Sequence, residues 1–257
     1  MNKLIEPKWQ KKLKREIKYA NKFHKLNEND WLVLLKKKPI LSQNHDTVLA
    51  IDWPHYCYDA SEGCGGQNGW CYTFQGFQAN KAHDEKVAMV DVLAQKHPGL
   101  FAEFCKREVF EAVDKGRIPY PNIRVSGSGE IVFSHIPALL ALIKAEIKLW
   151  GFTRNFKIGA ILKKAGASIL YSCDQTTPKI KVIAALNSGL PLAYTSRNVS
   201  DFPPKGTLVT FPLHRGGAVT EVLDHSSTCP KIIREFFEQK RDPGICQNYC
   251  TRCHKTN

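Results

Sequence analysis

"TVLAIDWPHYCYDASEGCGGQNGWCY", residues 47–72, decides how the fold is read. It opens on a β-branched, apolar run over 47–53, which predicts a strand. The strand runs into a loop that spaces three cysteines evenly, Cys57-x6-Cys64-x6-Cys71. Glycines at 63, 65, 66 and 69 fill that loop. A stretch so short and polar makes no packed core, so its thiols call for an inorganic centre. Zinc sites favour short Cys-x2–4-Cys knuckles, and here His55 or a distant group would have to complete the set. Iron–sulfur ligation uses thiolates at varied spacing. Three cysteines on a four-iron cluster leave one iron open for a substrate or cofactor. The glycines let backbone pass close to a bulky cluster, and nearby N–H groups tune it.

Outward from this loop, strands alternate with helices. Helices are predicted at 82–96 and 99–115, parted by His97-Pro98-Gly99, and a strand at 122–130, "NIRVSGSGE". "IPALLALIKAEIKLW" (136–150) has an apolar helical pattern. Then follow helix 157–165, strand 168–172, helix 178–188, and strands 192–196 and 207–211, with "FPPKG" (202–206) a loop. This alternation predicts an α/β fold with a mainly parallel sheet and helical crossovers. About 165 residues of such units fall short of the roughly 250 of an eight-unit barrel. The expectation is a partial (β/α) barrel over 46–225. A basic helical extension (1–45) precedes it and a cysteine-rich, metal-bound tail (226–257) follows. Chemistry in such sheets gathers at the carboxyl ends of the strands, where the cysteine loop, the "SGSGE" turn and "TSRN" all lie.

The N-terminal stretch 7–38 is dense in Lys and Arg, with Trp9, Leu13, Ile17 and Ala20 on one helical stripe. It is either a phosphate-contacting arm or a helix that caps the fold with a solvated basic face. The whole chain carries +13 over 257 residues, which favours a polyanionic partner such as nucleic acid or a nucleotide. There is no apolar run of about 18 residues and no secretory pattern, so no membrane partner and a cytoplasmic location are expected. In a reducing compartment, nine cysteines point to metal rather than disulfides. Cys105 and Cys173, in apolar segments, read as core.

The second cysteine set is Cys229, Cys246, Cys250 and Cys253, the last three spaced Cys-x3-Cys-x2-Cys. Four thiolates make a closed site, a second [4Fe-4S] cluster or structural zinc, with His254 an alternative ligand. The stretch from 229 to 244 reads as a helix that brings Cys229 round.

With the first cysteine loop and the "VSGSGE" turn (125–130) in place, the chain resembles the radical S-adenosylmethionine (SAM) enzymes. Those proteins carry three cysteines after the first strand of a partial barrel, the last often followed by an aromatic, as in Cys71-Tyr72. Their usual spacing, Cys-x3-Cys-x2-Cys, is tighter than the one here. The tail has that tighter spacing, but it lies at the chain's end with no strand before it and no barrel after it. The resemblance implies a [4Fe-4S] cluster on Cys57, Cys64 and Cys71 whose open iron takes SAM. It also implies that Gly127, Ser128, Gly129 and Glu130 contact the methionine amino group. The layout over about 47–253 further resembles a group of small phage-encoded proteins with an early cysteine loop, a late Cys-Pro and a terminal cysteine cluster.

Three further residues are candidate cofactor contacts. Arg124, inside a strand, needs a partner, either the cofactor carboxylate or a salt bridge. Asp174, beside Gln175, ends a strand within reach of ribose hydroxyls. Arg197 is placed for a carboxylate or phosphate. His214 and Arg215 stand in a glycine turn. No Ser/His/Asp set and no phosphate loop of the Walker type occurs. The function so implied is reductive SAM cleavage and radical chemistry on a nucleic acid or modified nucleotide, a hypermodified thymine of phage DNA among them. A flavodoxin or ferredoxin would supply the electron. The alternatives are a non-catalytic nucleic-acid-binding protein stabilised by zinc or Fe–S, and a cluster protein that has lost SAM.

Overall fold

The computed structural model describes residues 8–43, 48–61, 64, 80–196 and 203–212. Cys71, Arg197, His214, Arg215 and the second cysteine set lie outside the described residues.

The basic N-terminal stretch forms two helices, α1 (Lys8–Phe23) and α2 (Glu28–Leu35). Asn27 ends the first run by starting the second. Its side chain accepts from the Asp30 N–H at 3.0 Å, and Asp30 accepts from the Asn27 N–H at 3.1 Å. That reciprocal capping satisfies two otherwise orphaned donors and fixes the break. α1 packs on a later helix, α3 (Lys81–Lys96), rather than standing off as an arm. Its buried face differs from the apolar stripe. Ile17 is 48% exposed, while Lys12 and Glu16 are buried alongside Leu13 and Ala20. The cause is ionic pairing across the interface. Lys12 and Arg15 both reach Asp84 of α3, and Glu16 holds His55.

The sheet has seven strands in chain order: β1 (Ser42–Gln43), β2 (Leu49–Asp52), β3 (Asn122–Ser128), β4 (Lys148–Thr153), β5 (Ser168–Asp174), β6 (Leu192–Ser196) and β7 (Thr207–Pro212). Among the described residues, only the β1–β2 pair is antiparallel. The parallel crossovers carry α3, α4 (Pro98–Asp114), α5 (Ile136–Lys144), α6 (Phe156–Lys164) and α7 (Lys179–Asn187). Pro98 at the head of α4 suits a first turn, where its missing N–H costs nothing.

The predicted helix over 136–150 divides. α5 stops at Lys144, Glu146 turns left-handed at φ 63°, and β4 begins at Lys148. A continuous apolar run does not by itself separate a buried helix from a buried strand. The strand wins because its two faces meet different neighbours. Leu149 joins the main core beneath the helices, while Trp150 and Phe152 stand on the other face. The same alternation puts Ile169, Tyr171 and Cys173 of β5 under the helices and Leu170 opposite, with Ala193 and Val209. Cys105 and Cys173 are core residues, as their apolar settings predict. Among the described residues, no helix is long and apolar enough to cross a membrane.

Candidate functional site at the carboxyl ends of the strands

β2 delivers the chain into the cysteine loop, and the turn after β3 presses against that entry. The Trp53 N–H donates to the Ser128 carbonyl at 3.0 Å, and the Glu130 N–H to the Pro54 carbonyl at 3.2 Å. Gly129 sits between them at φ +67°, where a Cβ would lie 2.0 Å from the Trp53 carbonyl oxygen. Only glycine permits both the left-handed turn and that close approach.

The entry itself is tightly held. The Trp53 indole N–H donates to the Val125 carbonyl, and its ring stacks on His135 at 4.0 Å. His135 meets Asp91 at 2.7 Å, and Asp91 accepts from the Tyr56 hydroxyl at 2.9 Å. Burial, with the Asp91 charge, pushes that phenol well above its ordinary value. The His55 N–H donates to Glu16 at 2.8 Å and its Nδ1 meets the same carboxylate at 2.7 Å. Thus His55, weighed as a zinc ligand, is engaged by α1.

Cys57 and Cys64 follow, both partly exposed. Burial pushes the Cys57 thiol well up, and the charges of Glu130 and Cys64 push it further. Glu130 is buried. Its Oε1 accepts from the Ile131 N–H at 3.0 Å and the Thr153 hydroxyl at 2.8 Å, and its Oε2 from the Arg154 N–H at 2.9 Å. Burial raises its pKa, and these donors only partly offset that.

Arg154, at the end of β4, donates to Asp174 at 3.1 Å and to Thr177 at 3.4 Å. Burial opposes its charge, but Cys64 and Asp174 outweigh burial and hold the guanidinium firmly protonated. Asp174, at the end of β5, is pushed up by burial, yet Ser61, Thr176 and Arg154 bring it below the usual carboxylate range. Ser61 closes the assembly: its hydroxyl donates to Asp174 and accepts from the Cys64 N–H at 3.2 Å. Asp59 adds an ion pair at 2.8 Å to Lys181 of α7.

Of the residues singled out in the sequence, Cys57, Cys64, Glu130 and Asp174 therefore converge. Gly127 and Ser128 lie against β2 instead. A Cβ on Gly127 would meet Asp52 Oδ1 at 2.6 Å, and Ser128 is buried beside the same carboxylate. Arg124 stands apart, within β3 beside two aromatic rings of β4, and makes no ion pair among the described residues. Asp174 is occupied by Arg154, Ser61 and the two threonines.

Arg154, Ser61 and Thr153 were missed in the sequence. The signal was present in "FTRN" (152–155), which repeats the strand-end pattern of "YTSRN". It is legible only once β4 is recognised as a strand.

Among the described residues, no group of three or more His, Cys, Asp or Glu side chains is placed to hold a metal ion. The donor chemistry nevertheless fits a cationic centre. Cys57 feels the charges of Glu130 and Cys64, so a bare Cys57 thiolate there is repelled by both. A bound metal reverses that repulsion and draws the protons off. The chain matches no family model, no curated protein and no solved structure.

Proposed function

We propose that the protein is an iron–sulfur enzyme of the radical SAM type, built on a partial (β/α) barrel. In this reading Cys57, Cys64 and Cys71 hold a [4Fe-4S] cluster with an open iron. Cys229, Cys246, Cys250 and Cys253 hold a second cluster or zinc. The observation that carries the reading is the joining of two distant motifs at one rim. The Gly129–Glu130 turn packs on the entry of the cysteine loop, and Ser61 ties Cys64 to Asp174 and Arg154.

The chain's own residues then have distinct tasks. Glu130 spends three hydrogen bonds on protein donors, out of about four lone-pair directions on a carboxylate. One direction on Oε2 remains for an ammonium group, the kind SAM presents. Arg154 sets a fixed positive charge beside Cys64 and favours an anionic ligand set. Asp174 and Ser61 hold the loop against the sheet. When bound, the cluster and SAM supply reductive cleavage and radical abstraction of hydrogen from an unreactive C–H bond. The +13 charge favours a nucleic acid or modified nucleotide as substrate, a hypermodified thymine included. A flavodoxin or ferredoxin serves as donor.

Anaerobic purification with iron and sulfide analysis tests this. Two four-iron clusters give brown protein with about eight irons per chain. Colourless protein with stoichiometric zinc favours instead a metal-stabilised nucleic-acid-binding protein. Under dithionite the enzyme releases 5′-deoxyadenosine from SAM. Cys64→Ala abolishes that release and Cys250→Ala does not. Release that survives Cys64→Ala overturns the assignment.

A further inference from the structure

Arg124 occupies an unusual place for a cation. Its neighbours on β3, Ile123 and Val125, are fully buried under the helices, so alternation puts Arg124 on the opposite face of the sheet. There it pairs in register with Ala50 of β2 and Trp150 of β4. Toward β4, the guanidinium lies 5.9 Å from the Trp150 ring centroid and 5.4 Å from that of Phe152.

The rings are held in place. The Trp150 indole N–H donates to Asn122 Oδ1 at 3.1 Å, and Asn122 is itself anchored to the Tyr120 carbonyl. Phe152 is set edge-on against Trp150 and against Phe211, with centroids 6.3 and 5.6 Å apart. Arg124 Nε is buried and, among the described residues, makes no hydrogen bond. A buried donor left unpaired is costly unless a ligand takes it up. A guanidinium fork beside aromatic faces is complementary to a planar molecule that carries an oxyanion.

Distance narrows the class. Arg124 lies four positions before Ser128, at about 3.3 Å per residue, hence roughly 13 Å along the sheet from the strand end. A single nucleotide is of that order of length, so a phosphate held at Arg124 leaves the rest of the nucleotide at the rim. We propose that Arg124, Trp150 and Phe152 form a subsite for the phosphate end of a nucleoside monophosphate, with its reacting part toward Cys57, Cys64 and Glu130. This rests on the placement of the chemistry at that rim, and it narrows the substrate from nucleic acid to mononucleotide.

Equilibrium dialysis of the full chain tests it without turnover. The ligands are the four deoxynucleoside 5′-monophosphates, thymidine, and a short oligothymidylate. At least one monophosphate binds about tenfold tighter than thymidine, the scale of one charge-assisted contact. Arg124→Gln removes that advantage and leaves oligothymidylate binding unchanged. Arg124→Lys keeps the charge but loses the fork, and falls between. If Arg124→Gln fails to fold by circular dichroism, Arg124→Lys and Trp150→Phe decide, each weakening the monophosphate several-fold. No monophosphate binding, or undiminished binding in these variants, overturns the subsite. So does an Arg124-dependent affinity for the oligonucleotide equal to that for the monophosphate. Because SAM cleavage is not the readout, loss of this subsite leaves the proposed reaction standing, and absence of SAM cleavage leaves the binding result intact.

Discussion

Ser61 and Asp174, 113 positions apart, share a hydrogen bond that fastens the cysteine loop to the end of β5. Asp174 also pairs with Arg154, which is 8% exposed. The two residues therefore differ in what their loss leaves behind. Asp174→Ala strands a buried guanidinium and costs about 3–5 kcal/mol in a urea melt. Ser61→Ala removes a neutral hydroxyl, frees the Cys64 backbone N–H and costs about 1 kcal/mol. Equal costs for the two would argue against the buried pair.

Adjacent residues of α1 are expected to behave in opposite ways. Glu16→Ala removes the acceptor of both His55 contacts and a partner of Lys12, and lowers stability by about 3 kcal/mol. Ile17→Ser, at a solvent-facing position, stays within about 0.5 kcal/mol of the parent. Thermal melts of the two variants check this directly. A larger loss from Ile17→Ser would restore the simple apolar stripe.

That contrast shows where the sequence was readable. The strands at 168–172 and 192–196 were legible because β-branched and aromatic residues sit between turn signals. The two glycines and the acid of "SGSGE" pointed to a turn that the backbone does make against the cysteine loop. The burial of Lys12 and Glu16 was not legible, because their partners Asp84 and His55 lie 72 and 39 positions away. β4 was hidden in an apolar run, and with it went Arg154. Arg124 was noticed as a strand arginine, but its setting beside Trp150 and Phe152 depends on register, which pattern alone does not give.

Acid sensitivity is expected at Asp52. Burial pushes this carboxyl up, but His83 at 3.5 Å and the Ser42 hydroxyl at 2.5 Å outweigh burial and bring it below its ordinary value. A carboxylate depressed in the folded state contributes stability that is complete above its unfolded pKa, about 3.9. That contribution is lost as the pH falls through the lower folded value. The urea midpoint of the parent should therefore fall on acidification below about pH 4, and Asp52→Asn should flatten that part of the curve. An unchanged acid limb in Asp52→Asn would remove Asp52 from the account.

Two glycines separate conformational need from mere tolerance. Gly129→Ala places a methyl 2.0 Å from the Trp53 carbonyl oxygen at a positive φ, so it breaks the turn that presents Glu130. It should cost about 3 kcal/mol or more and yield little folded protein. Gly99→Ala, on α4 with open space around it, should stabilise by about 0.5–1 kcal/mol. Melting temperatures that move the same way in both variants would contradict the geometry.

The strands of the sheet are laid down in the order in which they are translated. Each of β4, β5 and β6 finds its neighbour one helix back, so the sheet can lengthen at its growing edge while the ribosome still holds the tail. The slow closure is the first one, β2 onto β3, because two helices and the cysteine loop must be spanned before any pairing rewards it. Chains arrested after β5 should thus already resist protease from β3 to β5. The rim that gathers Cys64, Arg154 and Asp174 is complete only after that long first closure.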